Sequence, residues 1–325
     1  MLRALAALAR QDLPPGEFEV IVSVDGATDG TAAAVAALRT PYALTLVEGP
    51  RRGRAAACNA AVGRARGTVL VVLDDDMEPA PACLRNHARH HAGAARVCVV
   101  GAAPVRAGEA QAPAAAYVAA KFNRHLERLA EPGHVFALRD FYSGNASIRR
   151  DVLEQAGRFD ESFTRYGNED LELALRLRRA GVELVFDPDA LAWQTYAKSL
   201  GELARDTFEK GQTAVLLART HAEAFAELQL AAFAAPSRRW RAARAALLAA
   251  TRRLPGARRA VVGGVAALER LGAGRFPLLY LFLVDYLYWA GVETALAEAP
   301  APGDGPLGRL RADLRDGPLR LLLHR

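Results

Sequence analysis

Three carboxylates stand in a row at Asp74-Asp75-Asp76, directly after the apolar run VLVVL. Like charges this close oppose each other's ionisation, so either a cation stands among them or water surrounds them. An Asp-x-Asp pair ending a buried strand can bring two carboxylates to one hard cation. Mg2+ or Mn2+ suits such a site, because it takes few protein oxygens and completes its shell with water and substrate phosphates. A solvated acidic loop is the other reading. Two further stretches pose the same choice. VDGATDGT (24–31) is a turn after a strand, with Asp25 at the strand end and Asp29 or Thr31 placed to cap a helix. Asn168-Glu169-Asp170 reads as a helix start, where Asn caps and acids oppose the dipole. The same field favours an ionised carboxylate, which a general base requires.

These residues need a scaffold that carries them. FEVIVSV (18–24), LTLV (44–47), VLVVL (69–73), VCVV (97–100) and VELVF (182–186) have the composition of buried strands. Helical stretches separate them: TAAAVAALR, residues 54–66, residues 81–92, and a segment with Leu171, Ala174, Leu175 and Arg178 on one face, stopped at Gly181. Such alternation predicts an α/β fold, a mostly parallel sheet with helices on both faces. Ligands of these sheets bind beyond the carboxyl ends of the strands, where Asp25 and Asp74–Asp76 lie. Beyond about residue 200 the chain reads as helical.

Taken together, the order and spacing of these stretches resemble the family 2 glycosyltransferases, inverting nucleotide-sugar enzymes with the Rossmann-like GT-A fold. FEVIVSVDGATDGT is similar to their uridine-binding segment. RRGRAAACNAAVGRARGTVLVVLDDDMEP is similar to their stretch leading into the Asp-x-Asp strand. SGNASIRRDVLEQAGRFDES and YGNEDLELALRLRRAG are similar to their acceptor-side block. The resemblance covers residues 1–215 and leaves 216–325 as a separate helical, basic and apolar region. It implies Asp25 at the base, Asp74 and Asp75 near the ribose or donor sugar, Arg54 (or Arg51 or Arg52) toward the diphosphate, and Gly144 and Asn145 at the donor–acceptor junction. It further implies Asp76 as the metal carboxylate, Asp170 as general base and Glu169 on acceptor hydroxyls. The partners implied are a nucleotide-diphospho-sugar donor, a glycan or lipid-linked acceptor, and Mn2+ or Mg2+.

Four departures stand out. The family's usual first hydrophobic strand is missing, which points to a late start or a fragment with an exposed sheet centre. Val24 stands where many members have Asp. Cys58 stands where Arg commonly precedes Asn59. Gln194 in PDALAWQTYAKS takes the place of a metal-binding His, as a weaker ligand that still offers an oxygen to the metal. The missing strand and Gln194 keep open an alternative, a catalytically impaired relative that only binds. A nucleotidyltransferase is disfavoured, because no Gly-rich Lys/Arg signature follows the first strand.

The net charge of +6 is unevenly spread: residues 238–275 contain ten Arg and one acid, Glu269. No nucleic-acid motif accompanies that excess. Cys58, Cys83 and Cys98 have no pairing or zinc-type spacing, as expected in a reducing compartment. A cytoplasmic protein, peripheral at the inner face of the membrane, is the expected setting. FPLLYLFLVDYLYWAGV (276–292) is apolar but interrupted by Asp285. It reads either as an interfacial helix on an anionic membrane or as an internal packing layer. His87, His90 and His91 are expected on the surface.

Overall fold

The structure is a computed structural model and describes residues 1–93, 96–106, 112–252, 254, 256–298 and 305–323, with side chains to residue 315. It divides into two compact units. The first comprises Met1–Ala110, Val118–Thr164 and Glu169–Ala197; the second comprises Gln111–Tyr117, Arg165–Asn168 and Lys198–Arg325. The longest stretch of the second unit begins at Lys198.

The strands are β1 (Glu19–Asp25), β2 (Ala43–Gly49), β3 (Val69–Leu73), β4 (Met77–Pro79), β5 (Val97–Gly101), β6 (Asn145–Arg149), β7 (Glu183–Asp187) and β8 (Ala192–Gln194). The helices among and around them are α1 (Leu2–Leu8), α2 (Thr31–Ala36), α3 (Arg54–Val62), α4 (Cys83–Arg89), α5 (Pro113–Leu129), α6 (Arg150–Gln155) and α7 (Glu169–Arg179). The α/β class is as expected, and the pairing is more mixed than the strand–helix alternation suggests. β1 and β2 pair in parallel, as do β5 and β7. β6 lies between β3 and β5 and runs antiparallel to both. β4 and β8 form a separate antiparallel pair.

Among the described residues no strand joins β1 to β3. Side chains bridge the two sheets instead. Val22 and Val24 of β1 share an apolar cluster with Leu5 and Leu8 of α1, and Val71 and Leu73 of β3 pack against it. The Tyr42 hydroxyl donates to the Leu5 carbonyl at 2.8 Å and ties α1 to this cluster.

The three histidines are not the surface residues expected. His87 is fully buried, with ring nitrogens 2.9 Å from Ser147 Oγ and 3.0 Å from Asn145 Oδ1. His91 Nε2 lies 2.8 Å from the same Ser147 hydroxyl, and His90 Nε2 lies 2.8 Å from Asp187. The cause is β6. Asn145 and Ser147 project to one face of a buried strand, and their polar groups need partners there. Burial pushes both His87 and His91 down to about 4, so they serve as neutral rings.

The second unit contains α8 (Leu200–Thr220), α9 (Arg238–Arg252), α10 (Ala257–Arg270), α11 (Pro277–Glu298) and α12 (Gly305–Leu323). Ser199 and Glu202 start α8 with a reciprocal capping box. α8 and α11 cross at glycines. A Cβ on Gly211 would lie 2.1 Å from the Tyr288 carbonyl oxygen, and one on Gly291 would lie 2.0 Å from that of Phe208. The apolar run of α11 packs inward, burying Tyr280, Leu283, Tyr286, Leu287 and Trp289. Asp285, which interrupts that run, accepts from Trp240 Nε1 at 2.7 Å, Trp289 Nε1 at 3.0 Å and Arg244 Nη1 at 3.2 Å. Arg244 is 1% exposed and stacks 4.6 Å from the Phe233 ring centroid. The packing-layer reading of 276–292 thus describes most of α11, and no helix among the described residues is long and apolar enough to cross a membrane.

Candidate functional site

The site lies in the first unit, at the carboxyl ends of β1 and β3. Asp25 ends β1. Its Oδ1 accepts the Arg52 N–H and its Oδ2 the Gly53 N–H, each at 2.8 Å. Asp25 thereby clamps the loop entering α3. Gly53 has φ 98°, and a Cβ there would approach the Thr164 carbonyl oxygen to 3.1 Å, so glycine suits the turn. The clamp sets Arg54 as the first residue of α3.

Arg54 supplies the cation that the acidic run requires. Its Nη2 lies 2.7 Å from Asp74 Oδ1 and its Nε 3.1 Å from the same oxygen. Its Nη1 donates to Ser143 Oγ at 2.8 Å and to Asp170 Oδ1 at 2.9 Å. The Ser143 hydroxyl also donates to Asp170 Oδ1. One guanidinium therefore joins the end of β3, the approach to β6 and the start of α7. Burial opposes its charge, but Asp170 and Asp74 outweigh that and hold its pKa well above the ordinary value. Its donors are all directed at carboxylates and Ser143.

Gly144 is a matter of space. A Cβ there would lie 2.5 Å from Asp74 Oδ2, so only glycine admits the carboxylate in this position. The Asp74 N–H donates to the Gly144 carbonyl at 2.9 Å. Asp75 is exposed. Asp76 Oδ2 accepts from Gln194 Nε2 at 3.1 Å across the β4–β8 pair. Gln194 thus offers Asp76 a donor, where a metal ligand would offer an oxygen. Among the described residues no three His, Cys, Asp or Glu side chains gather as a metal cluster.

Glu169 and Asp170 begin α7, with Arg176, Arg178 and Arg179 in its last turn, matching the helix dipole at both ends. Glu169 is 4% exposed, and its Oε1 lies 3.7 Å from Arg54 Nη1. Its Oε2 has no hydrogen-bond partner among the described residues. Burial, reinforced by Asp170, pushes its carboxyl up to about 7. Burial likewise raises the neighbouring Cys58 thiol to about 11, so it is no nucleophile.

Asn145 does not join these groups. It is fully buried, and its Nδ2 donates to the carbonyls of Ala102 at 3.0 Å and Ala190 at 2.7 Å. Ser143, which sequence reasoning passed over, is at the centre instead. Its only sequence signal is its place one residue before Gly144 in YSGNAS.

The profile described as glycosyl transferase family 2 matches residues 1–157. The match spans just under half of the chain. An uncharacterized glycosyltransferase of Bacillus subtilis, YfnE, is 25% identical over 56% of this chain and 58% of its own length. The validoxylamine A glucosyltransferase of Streptomyces hygroscopicus is 29% identical over 56% of this chain and 46% of its own. The chain thus spans about half the length of these curated relatives. Among solved structures, the Pyrobaculum calidifontis mannosyltransferase PcManGT, in complex with GDP-Man and Mn2+, aligns with TM-score 0.54 and 25% identity, covering 92% of this chain and 84% of that one. The fold of the chain is of the GT-A class, with a helical C-terminal region.

Proposed function

We propose that this chain is an inverting glycosyltransferase that moves a sugar from a nucleotide-diphospho-sugar to a hydroxyl of a glycan or lipid-linked acceptor. The observation that carries the reading is the Arg54 bridge, which sets Asp74 and Asp170 on one guanidinium. Asp170 takes the acceptor proton while that oxygen forms a bond to the anomeric carbon. The bond from that carbon to the diphosphate oxygen breaks, its electron pair leaves with the nucleoside diphosphate, and configuration inverts. Arg54 and Ser143 are positioning residues that both hold Oδ1 of Asp170. Glu169, protonated through much of the acid range, offers acceptor hydroxyls a hydrogen bond.

A divalent cation fits here on limited terms. Asp76 would hold it, and Gln194 would orient that carboxylate through its amide. Water and phosphate oxygens would complete the shell, as is usual for Mg2+ and Mn2+. Such a cation supplies positive charge where the diphosphate departs. A uridine base is proposed from the VDGATDGT segment. Guanosine is the alternative, since PcManGT was solved with GDP-Man.

The test uses water as acceptor. Wild-type chain with Mn2+ and a panel of UDP- and GDP-sugars is expected to release nucleoside diphosphate slowly, with an inverted sugar seen first by NMR. Asp170→Asn should bind donor as wild type does and lose at least a hundredfold in release, the scale of general-base catalysis, about 10²–10⁴. Release by the variant at the wild-type rate sinks the assignment. Donor binding without release by either protein favours the impaired, binding-only relative.

A further inference from the structure

The second unit carries a half-open groove of about 880 Å³ among α8, α9, α10 and α11. That volume lies within the range of small-molecule sites, roughly 300–1,000 Å³. Its origin is local. Gly201 and Ala204 of α8 and Ala290 and Ala297 of α11 line it, and small side chains leave the helices' facing surfaces unfilled. Phe208, Val262 and Leu287 supply apolar wall.

The charges around it are unequal. Glu293 is bound by Arg252, and Glu298 lies 3.9 Å from Arg165. Arg205 lies 3.4 Å from Asp206, which Lys198 also binds at 2.7 Å. The lining hydroxyls of Thr251 and Thr294 donate to helix carbonyls of Leu247 and Ala290, each at 2.8 Å. Arg258 and Arg259 stand exposed at its rim, with no ion pair to a carboxylate among the described residues. The Arg258 guanidinium lies 4.0 Å from the Phe208 ring centroid, so a cation sits directly on the apolar wall. A wholly apolar guest would leave these guanidinium groups without an anion. A small anion would leave the wall uncovered.

We propose that the groove binds an anionic amphiphile, a phosphate head on Arg258 and Arg259 at the rim with a single apolar chain along Phe208, Val262 and Leu287. This site is separate from the proposed donor site: every residue in it belongs to the second unit. It survives if the transferase reading fails.

Calorimetry on the full chain with monomeric decyl phosphate tests it, with inorganic phosphate and 1-decanol as partial probes. One decyl phosphate should bind per chain, and each partial probe at least tenfold more weakly. Joint replacement Arg258→Ala and Arg259→Ala should weaken binding at least about tenfold, as expected for lost charge-assisted hydrogen bonds. Val262→Trp fills the wall without touching the cations and should abolish binding while the thermal melt is kept. Phosphatidylglycerol vesicles separate the sources. Co-sedimentation of wild type but not Val262→Trp assigns a bilayer lipid, and its absence alongside decyl phosphate binding assigns a discrete lipid phosphate. Decanol binding equal to decyl phosphate, or binding that survives both variants, overturns the proposal.

Discussion

Glu169 and Asp170 are neighbours in sequence with unlike surroundings. The Glu169 side chain is 5% exposed and that of Asp170 is 25% exposed against the Arg54 guanidinium. Paired carboxylates in different environments divide acid and base work. Burial raises Glu169 to about 7 from an ordinary 4.5. The folded chain therefore holds a proton that the unfolded chain releases between those values. The stability this gives is complete below pH 4.5 and is lost as pH rises through 7. Glu169→Gln removes the dependence, so the melting temperature of the variant relative to wild type should climb between pH 4.5 and 8. Parallel pH profiles for the two proteins would contradict the raised carboxyl. The acidic residues were legible in sequence because strand-end and helix-start positions announce themselves. The roles of Ser143 and Asn145 were not, because which of two neighbouring side chains faces the site depends on long-range pairing of β6. The burial of His87 was hidden for the same reason.

At the scale of elements, hydrophobic patterning predicted the strands at 18–24, 69–73, 97–100 and 182–186 close to their observed bounds. Their partners were not legible. β6, from SGNASIR, has too little apolar periodicity to read as a central strand, yet it makes two antiparallel ladders and sets the mixed character of the sheet. In the second unit, Gly211 and Gly291 decide how closely α8 and α11 approach, which no single-helix pattern reveals. Gly291→Ala should cost about 2–3 kcal/mol, because even one methyl would meet the Phe208 carbonyl. Denaturant midpoints check this, and an unchanged midpoint would mean the helices separate freely.

On the scale of the whole molecule, composition bounded the answer without choosing it. The excess of Arg between 238 and 275 suggested a membrane surface, while the structure spends Arg244 on Asp285 and Arg252 on Glu293. The α/β fold was legible because strand-like and helical stretches alternate along roughly the first 190 residues. We propose a nucleotide-sugar site at the end of β3, held by Arg54, with Asp76 available to a cation. Its most direct test is calorimetric titration of UDP and GDP into the 325-residue chain, with Mn2+ and with EDTA. The account predicts binding with Mn2+ that falls at least tenfold in EDTA and in Asp76→Asn. No binding of either nucleotide, or equal binding with and without metal, would contradict it.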